Sequence, residues 1–334
     1  MRISVALASY NGQKYIIEQL ESIRKQSIPV DEVIINDDCS TDQTVSLIKG
    51  FITKYDLVNW KVFINKINLG FSKNFHEAVK QTTGDLIFLA DQDDIWFLNK
   101  VETIQQNFII NKELKALATG QIFVDTIGRV IGKPKNVNNN ENSKLSYLPF
   151  EFFIGSSTIP GCTLCFTKEL KTFLKKFGAP DLSKSFGHDW YYCVLGAALG
   201  RFGLIDDILI KRRIHENNAS KVSSRKTRVL SVTTERKKKY LVEIITAHQF
   251  ILNNESFKNQ LSKSDLIKVK HMLRFFKRRL ELLNSKNIFI WIGMGFNFFN
   301  YYHCSKSLKG AFQLYLADLF YTFNINWNTH NKTK

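Results

Sequence analysis

Along the first 110 residues the hydrophobic positions fall into two alternating patterns. Ile3–Ala8, Val33–Ile35, Trp60–Ile64 and Leu86–Ala90 are short apolar runs, the mark of strands buried within a sheet. Between them apolar residues recur every three or four positions: Ile16, Ile17, Leu20 and Ile23; then Val45, Leu47, Ile48, Phe51 and Ile52; then Phe71, Phe75, Ala78 and Val79; last Val101, Ile104 and Phe108. That spacing predicts amphipathic helices. Asn11-Gly12 signals a turn before the first helix, and Pro29 ends it. Strands alternating with helices predict βαβ units, right-handed crossovers and a mainly parallel sheet. Residues 1–110 thus read as the nucleotide-binding half of an α/β fold.

Beyond residue 115 the pattern loosens. Ile122–Asp125 and Val130-Ile131 flank an Ile127-Gly128-Arg129 turn and predict a hairpin. Asn136–Ser143 is Asn-rich and predicts a loop, either a surface excursion or a lid over an acceptor site. Gly155–Phe166 reads as loop then strand. Gly187-His188-Asp189-Trp190 opens a helix reaching about Leu199, and Ile205–Ile210 is a short strand. After Ser220 the composition becomes Lys/Arg-rich and helical. It includes an apolar, aromatic run from Ile288 to Tyr302 and a last helix from Leu308 to Phe323.

Charge sharpens this division. Of 47 Lys and Arg, 21 lie in residues 220–334, with 6 of the 30 Asp and Glu, so nearly all of the net charge of +17 sits there. With 44% hydrophobic and 13% aromatic residues among 334, the chain can bury a substantial core and is not disordered. The five cysteines include a lone C-x-x-C, Cys162 and Cys165, with no second pair; two buried thiols are expected, in a reducing cytoplasm. The N-terminal apolar run is broken at Ser9-Tyr10-Asn11-Gly12, too early for a signal peptide, and no apolar run is long enough to span a bilayer.

The chemistry concentrates at Asp85–Trp96. An apolar strand ends abruptly in Asp91, Asp93 and Asp94. Carboxylates this close repel one another, and no basic residue stands beside them in sequence. A divalent cation such as Mg²⁺ or Mn²⁺ would offset the repulsion, and ligands of open α/β sheets bind beyond the carboxyl ends of strands. The bland alternative is a solvated acidic turn with Asp94 capping the next helix. G-x-G-x-x-G and the P-loop sequence are both missing, which argues against a dinucleotide-binding Rossmann enzyme and a P-loop NTPase.

Seven motifs occur in order: Ala8-Ser9-Tyr10-Asn11-Gly12, Asn36–Asp42, Asn68-Leu69-Gly70, Gly84-Asp85, Asp91–Trp96, His188-Asp189-Trp190 and Arg213-x-His215. The ordered set resembles glycosyltransferase family 2, with its Rossmann-like GT-A fold, and within it the rhamnosyltransferase-like branch that builds bacterial surface polysaccharides. The resemblance covers residues 1–220 and implies a catalytic domain there, with residues 221–334 as a mostly helical basic segment. It implies inverting transfer of a sugar from a nucleotide-sugar, dTDP-rhamnose or a UDP-sugar, to a hydroxyl of a growing, lipid-linked glycan. The family's processive members carry Q-x-x-R-W and several spanning helices; neither is seen, so one sugar per encounter is expected.

Carried over residue by residue, the resemblance makes Ala8, Tyr10, Asp38, Asp91 and Gln92 donor-binding residues. Asp38 would face the base and ribose, with Asp42 left to cap the next helix. Asp93 would ligate Mg²⁺ or Mn²⁺ directly, Asp91 through water or ribose contacts, and His215 would complete the coordination. Asp189 matches the general base, whose plainer role would be to cap a helix starting at Trp190. Gly161 would let the acceptor approach, His188 would orient the loop, and Trp190 would stack on the acceptor sugar. Two readings fit the basic segment: docking on the anionic cytoplasmic face of the membrane, or packing on the catalytic domain or a second subunit. The rival readings are a nucleotidyltransferase, which would show a basic Gly-rich N-terminal loop; a nucleic-acid-binding protein, for which no motif is found; and an inactive, binding-only relative.

Overall fold

The strand Ile3–Ser9 (β1) is buried along its whole length because strands pair on both sides of it. A computed structural model describes residues 1–131, 144–155, 159–177, 187–216, 218, 233–305 and 307–323. In it, β2 (Glu32–Asp37), β1 and β4 (Leu86–Asp91) run parallel, with β3 (Trp60–Ile64) on the outer side of β2. The connections are the expected helices α1 (Ile16–Arg24), α2 (Thr44–Lys54) and α3 (Phe71–Gln81). Leu86–Ala90 are fully buried, as their unbroken apolar run requires. After β4 come a two-residue strand, β5 (Ile95–Trp96), and α4 (Lys100–Ile110).

The sheet continues past β4 with mixed directions. Its order is β3-β2-β1-β4-β8-β6-β9-β5, with β7 also on β9. Here β6 is Leu114–Val124, β7 is Ser146–Leu148, β8 is Leu164–Thr167 and β9 is Arg201–Arg213. β6 is far longer than the predicted hairpin arm, which survives as a single Val124–Val130 bridge. Lys115, Thr119, Gly120 and Gln121 break its apolar pattern and hide it from a local reading. Gly120 is needed there: a Cβ would meet Asp206 O at 2.9 Å, where the β6–β9 register shifts. Helices α6 (Lys168–Phe177) and α7 (His188–Leu199) complete this part, whereas α5 (Phe150–Ile154) belongs to a second, helical unit. Cys165 lies on β8 and Cys162 in the 3₁₀ turn before it, both buried and free.

The chain divides into a sheet unit (Met1–Pro149, Thr158–Ala179, Gly187–Lys221) and a helical unit (Phe150–Ser157, Pro180–Phe186, Val222–Lys334). The Asn136–Ser143 loop and the boundary after residue 220 fall outside the described residues. The helical unit holds α8 (Thr234–Asn253), α9 (Glu255–Lys258), α10 (Lys263–Ser285), α11 (Ile288–Gly295), α12 (Phe299–Ser305) and α13 (Leu308–Phe323). A buried charge cluster ties four of them together. Asp318 on α13 accepts from Arg279 Nε and Nη2 of α10 (2.7 and 2.9 Å) and from Tyr301 of α12 (2.8 Å). Lys237 Nζ of α8 lies 2.5 Å from it. Burial alone would raise the Asp318 carboxyl, but the two cations outweigh it and hold it down at about 2. Among the described residues no helix is long and apolar enough to cross a membrane.

Candidate active site

β4 delivers Asp91 as its last residue, and the turn into β5 carries Gln92, Asp93 and Asp94. β5 pairs antiparallel with β9, which draws the end of β9 alongside this turn. Asp93 and His215, 122 residues apart, meet there: His215 Nε2 lies 2.7 Å from Asp93 Oδ2, and Asn218 Nδ2 donates to the same oxygen (3.1 Å). The His215 ring lies 4.9 Å from that of Tyr15.

The acids perturb one another. Burial, then the charge of Asp93, push Asp91 up to about 7. Asp94 does not cap a helix, contrary to the sequence expectation. It is turned inward, and α4 starts only at Lys100. Its Oδ1 accepts from Arg213 N (3.0 Å), its Oδ2 is buried with no partner among the described residues, and burial drives its carboxyl well above the usual range. The expected lack of basic neighbours is also corrected. Burial opposes the charge of Arg212, but Cys162, Asp91, Asp94 and Asp93 together raise its pKa. Lys100 is buried beneath, donating to Cys162 O (2.8 Å) and lying 4.0 Å from the Trp96 ring centroid; burial lowers it to about 8.

This donor set fits a hard divalent cation. Ligand atoms of Asp91, Asp94 and Cys162 lie within 4.8 Å of one another, and the Asp94 oxygen lacks a partner among the described residues; of the expected ligands only Asp91 is in this group, while Asp93 and His215 pair with each other. The Cys162 thiol is pushed well up by burial and stays protonated, so oxygen atoms dominate.

On the other side of the turn, Gln92 grips the loop after β1. Its Oε1 accepts from Tyr10 N (2.8 Å), and its Nε2 donates to Tyr10 O (2.9 Å). A Cβ on Gly12 would run into the Oε1 of this amide. Ala8 is buried, whereas the Tyr10 side chain is exposed. Asp38 is buried and accepts from Leu69 N (2.7 Å), Gly70 N (2.8 Å) and Asn65 Nδ2 (2.9 Å). Three of its lone pairs therefore shape the Asn65–Gly70 loop. Asp42 is not the cap of α2, which is Gln43, but stands one residue before it and accepts from Thr44 N (2.9 Å).

Asp189 is the second residue of α7, whose N-cap is Gly187. It is therefore not the cap of a helix starting at Trp190. Its Oδ1 accepts from Trp190 N (2.9 Å), and burial raises its carboxyl to about 6 against the pull of that N–H and of Arg212. Its charge reaches Asp91, so the two acids share one field. Gly161 fits closely against this helix start: a Cβ would lie 2.9 Å from His188 Nε2 and 3.6 Å from Asp189 Cβ. His188 stacks on Phe75 (ring centroids 4.2 Å apart) with neither nitrogen hydrogen-bonded among the described residues, and burial drops it to about 3. Burial thus keeps it neutral, one residue before Asp189. Trp190 is completely buried. A side chain in the core cannot stack on an incoming sugar, so that expectation fails.

Arg213 carried no role of its own in the sequence, where it was only the first residue of Arg213-x-His215. The structure makes it a hub, buried with its guanidinium 4.8 Å from the Tyr15 ring centroid. Nε donates to Asp93 O (3.0 Å), Nη1 to Asp125 O (3.2 Å) and Thr126 O (3.1 Å), and Nη2 pairs with Glu18. Its only sequence signal is position, two residues before a motif histidine on a strand.

The chain is 28% identical over 305 residues to the dTDP-rhamnosyl transferase RfbG of Shigella flexneri, covering 88% of this chain and all of that relative. The structure of Staphylococcus aureus TarS residues 1–349 in complex with UDP-GlcNAc superposes with a TM-score of 0.59 at 19% identity, over 98% of this chain and 93% of that one. The mannosyltransferase PcManGT of Pyrobaculum calidifontis, in complex with GDP-Man and Mn²⁺, superposes with 0.53 at 14% identity, over 97% and 88%. These likenesses show the GT-A fold. Residues 4–170, half of the sequence, match the Glycosyl transferase family 2 profile, and the chain belongs to that family.

Proposed function

We propose that this glycosyltransferase moves one sugar, with inversion, from a nucleotide-sugar to a hydroxyl of a growing bacterial surface glycan. The donor is dTDP-rhamnose or a UDP-sugar, and the acceptor is carried on a lipid. The observation that carries the reading is Asp189: a buried carboxylate raised to about 6, in the same field as the acids at the end of β4, and backed by His188 and Gly161. Asp189 takes the proton of the acceptor hydroxyl as its oxygen bonds to the anomeric carbon. The bond from that carbon to the diphosphate breaks, and the nucleoside diphosphate leaves. Asp91 and Asp94 would hold Mg²⁺ or Mn²⁺, with Asp93 and His215 joining if their own pairing opens; the ion supplies charge to bind the diphosphate and stabilise its departure. Ala8, the exposed Tyr10 and the loops held by Gln92 and Asp38 form the donor side. Residues 1–220 carry catalysis, and residues 221–334 place the enzyme at the cytoplasmic face of the membrane. The relation to RfbG and the motif set support rhamnosyl transfer first.

The test is turnover of radiolabelled nucleotide-sugars with Mn²⁺ and an extracted lipid-linked acceptor. Labelled glycan with inverted anomeric configuration is expected. Transfer of a nucleotidyl group from a nucleotide triphosphate, with no sugar transfer, would overturn the reading.

A further inference from the structure

The helical unit carries a basic cleft that sugar transfer does not use. One wall is α10, which presents His271, Arg274, Lys277 and Arg278 on its exposed face; the other holds Asn297 and Asn300. Phe275 and Met294 close its floor, and the cleft encloses roughly 390 Å³. Among the described residues no carboxylate lines it. Arg274, Lys277 and Arg278 make no ion pair among the described residues, unlike Arg279 beside them, which is locked to Asp318. Three cations with no ion pair and two amides with no side-chain hydrogen bond among the described residues line a cleft whose surface is otherwise mostly apolar, so it suits an amphiphile with an anionic group rich in oxygen acceptors, such as phosphate.

The same segment is apolar where it faces water. Phe296, next to Asn297, is 89% exposed; Phe299, next to Asn300, is 68% exposed; Phe289 on α11 is 77% exposed. Ile292 and Leu308 are exposed as well. Cleft residues and protruding apolar residues thus alternate along one short stretch. We propose that this face binds an anionic phospholipid: its phosphate enters the cleft, while Phe289, Phe296 and Phe299 insert among the acyl chains. The site deepens the membrane placement proposed above and rests on it.

Charge decides among occupants. A symmetric dimer through this face would set the basic patch of one copy against its own image, because a two-fold interface pairs a surface with itself. A nucleic acid would satisfy the cations but leave Ile292 and Leu308 in water. An anionic bilayer satisfies both, since basic residues are attracted to its surface and aromatic ones sit at headgroup depth.

The experiment is sedimentation with vesicles of phosphatidylcholine alone or mixed with phosphatidylglycerol, using the full chain. Wild type should bind the mixed vesicles and not the neutral ones. The variant Arg274→Gln/Lys277→Gln/Arg278→Gln should bind about 100-fold more weakly, and Phe289→Ser/Phe296→Ser should lose binding too. Lys49→Gln/Lys61→Gln/Lys112→Gln removes equal charge from exposed sites of the sheet unit and should bind as wild type. Equal loss in both charge variants, or unchanged binding by the cleft variant, overturns the cleft while leaving the membrane reading intact. Failure of wild type to bind any vesicle overturns the membrane reading itself. Soluble glycerophosphate that leaves the protein on the vesicles supports the lipid as ligand; release of the protein by glycerophosphate, or binding of duplex DNA in place of vesicles, overturns it.

Discussion

Asp189→Asn isolates the proposed proton transfer. Asparagine keeps an oxygen that can accept from Trp190 N, so the hydrogen bond at the start of α7 survives and the fold should hold. With its carboxyl raised to about 6 by burial, Asp189 is roughly nine-tenths ionised at pH 7 and already strong enough to take a proton. Positioned bases of this kind contribute about 10²–10⁴-fold, or about 3–5 kcal/mol of barrier. Turnover in the variant should fall by that factor, while donor affinity, measured by calorimetry with the nucleotide-sugar, stays within about twofold. The pH profile gives the sharper reading. A base acts when ionised, so wild-type kcat/KM should rise with pH through about 6 and then level off. The variant has no carboxyl to ionise and should lose that limb. A variant that keeps the limb, or that loses donor affinity at unchanged turnover, refutes the assignment and moves Asp189 to the donor side.

Three further outcomes are expected. Excess chelator should abolish turnover and Mn²⁺ restore it, because burial and mutual repulsion leave Asp91 and Asp94 short of counter-charge; full activity in chelator counts against a metal. Gly161→Ala should cost about 1–3 kcal/mol in thermal unfolding and lower turnover, since its Cβ meets a His188 ring that already stacks on Phe75 and cannot retreat. Asp318→Ala should destabilise the helical unit by about 3–5 kcal/mol, because it leaves Arg279 and Lys237 buried without their counter-ion; an unchanged urea midpoint would show that the cluster contributes nothing.

The parallel half of the sheet was legible because its cause is local. A strand covered on both faces must be apolar throughout, and Leu86–Ala90 announces itself in any window. The last helix was equally legible, its apolar residues ending where α13 ends. β6 was not, because its strand state comes from β8 and β9 on either side and not from its own alternation. The site divided the same way. Which acids gather was readable from motif order, but their directions were not. Asp94 turns inward because the backbone N–H of Arg213, 119 residues later, waits there. Trp190 goes into the core because it is the third residue of α7, which packs on β6 and β9. Arg212 escaped notice because the acids it serves are remote in sequence.

The end of β9 explains how one strand can serve both the chemistry and the scaffold. Successive strand residues point to opposite faces. Arg212 goes to one side, into the field of Asp91, Asp93 and Asp94. Arg213 goes to the other, into the core, and His215 follows it two positions later, on the same side. Tyr15 records that shared side, with Arg213 over its ring and His215 beside it. Asp93 is consequently held twice: its backbone carbonyl by Arg213 and its carboxylate by His215. A flexible acidic turn would spread its carboxylates apart to relieve their repulsion. This one cannot, because Arg213 also fastens it to Glu18 on α1 and to the Asp125–Thr126 carbonyls beyond β6. The repulsion is thus kept in the fold, only partly offset by Arg212, and it adds to burial, the larger cause, in raising the carboxyls of Asp91 and Asp94.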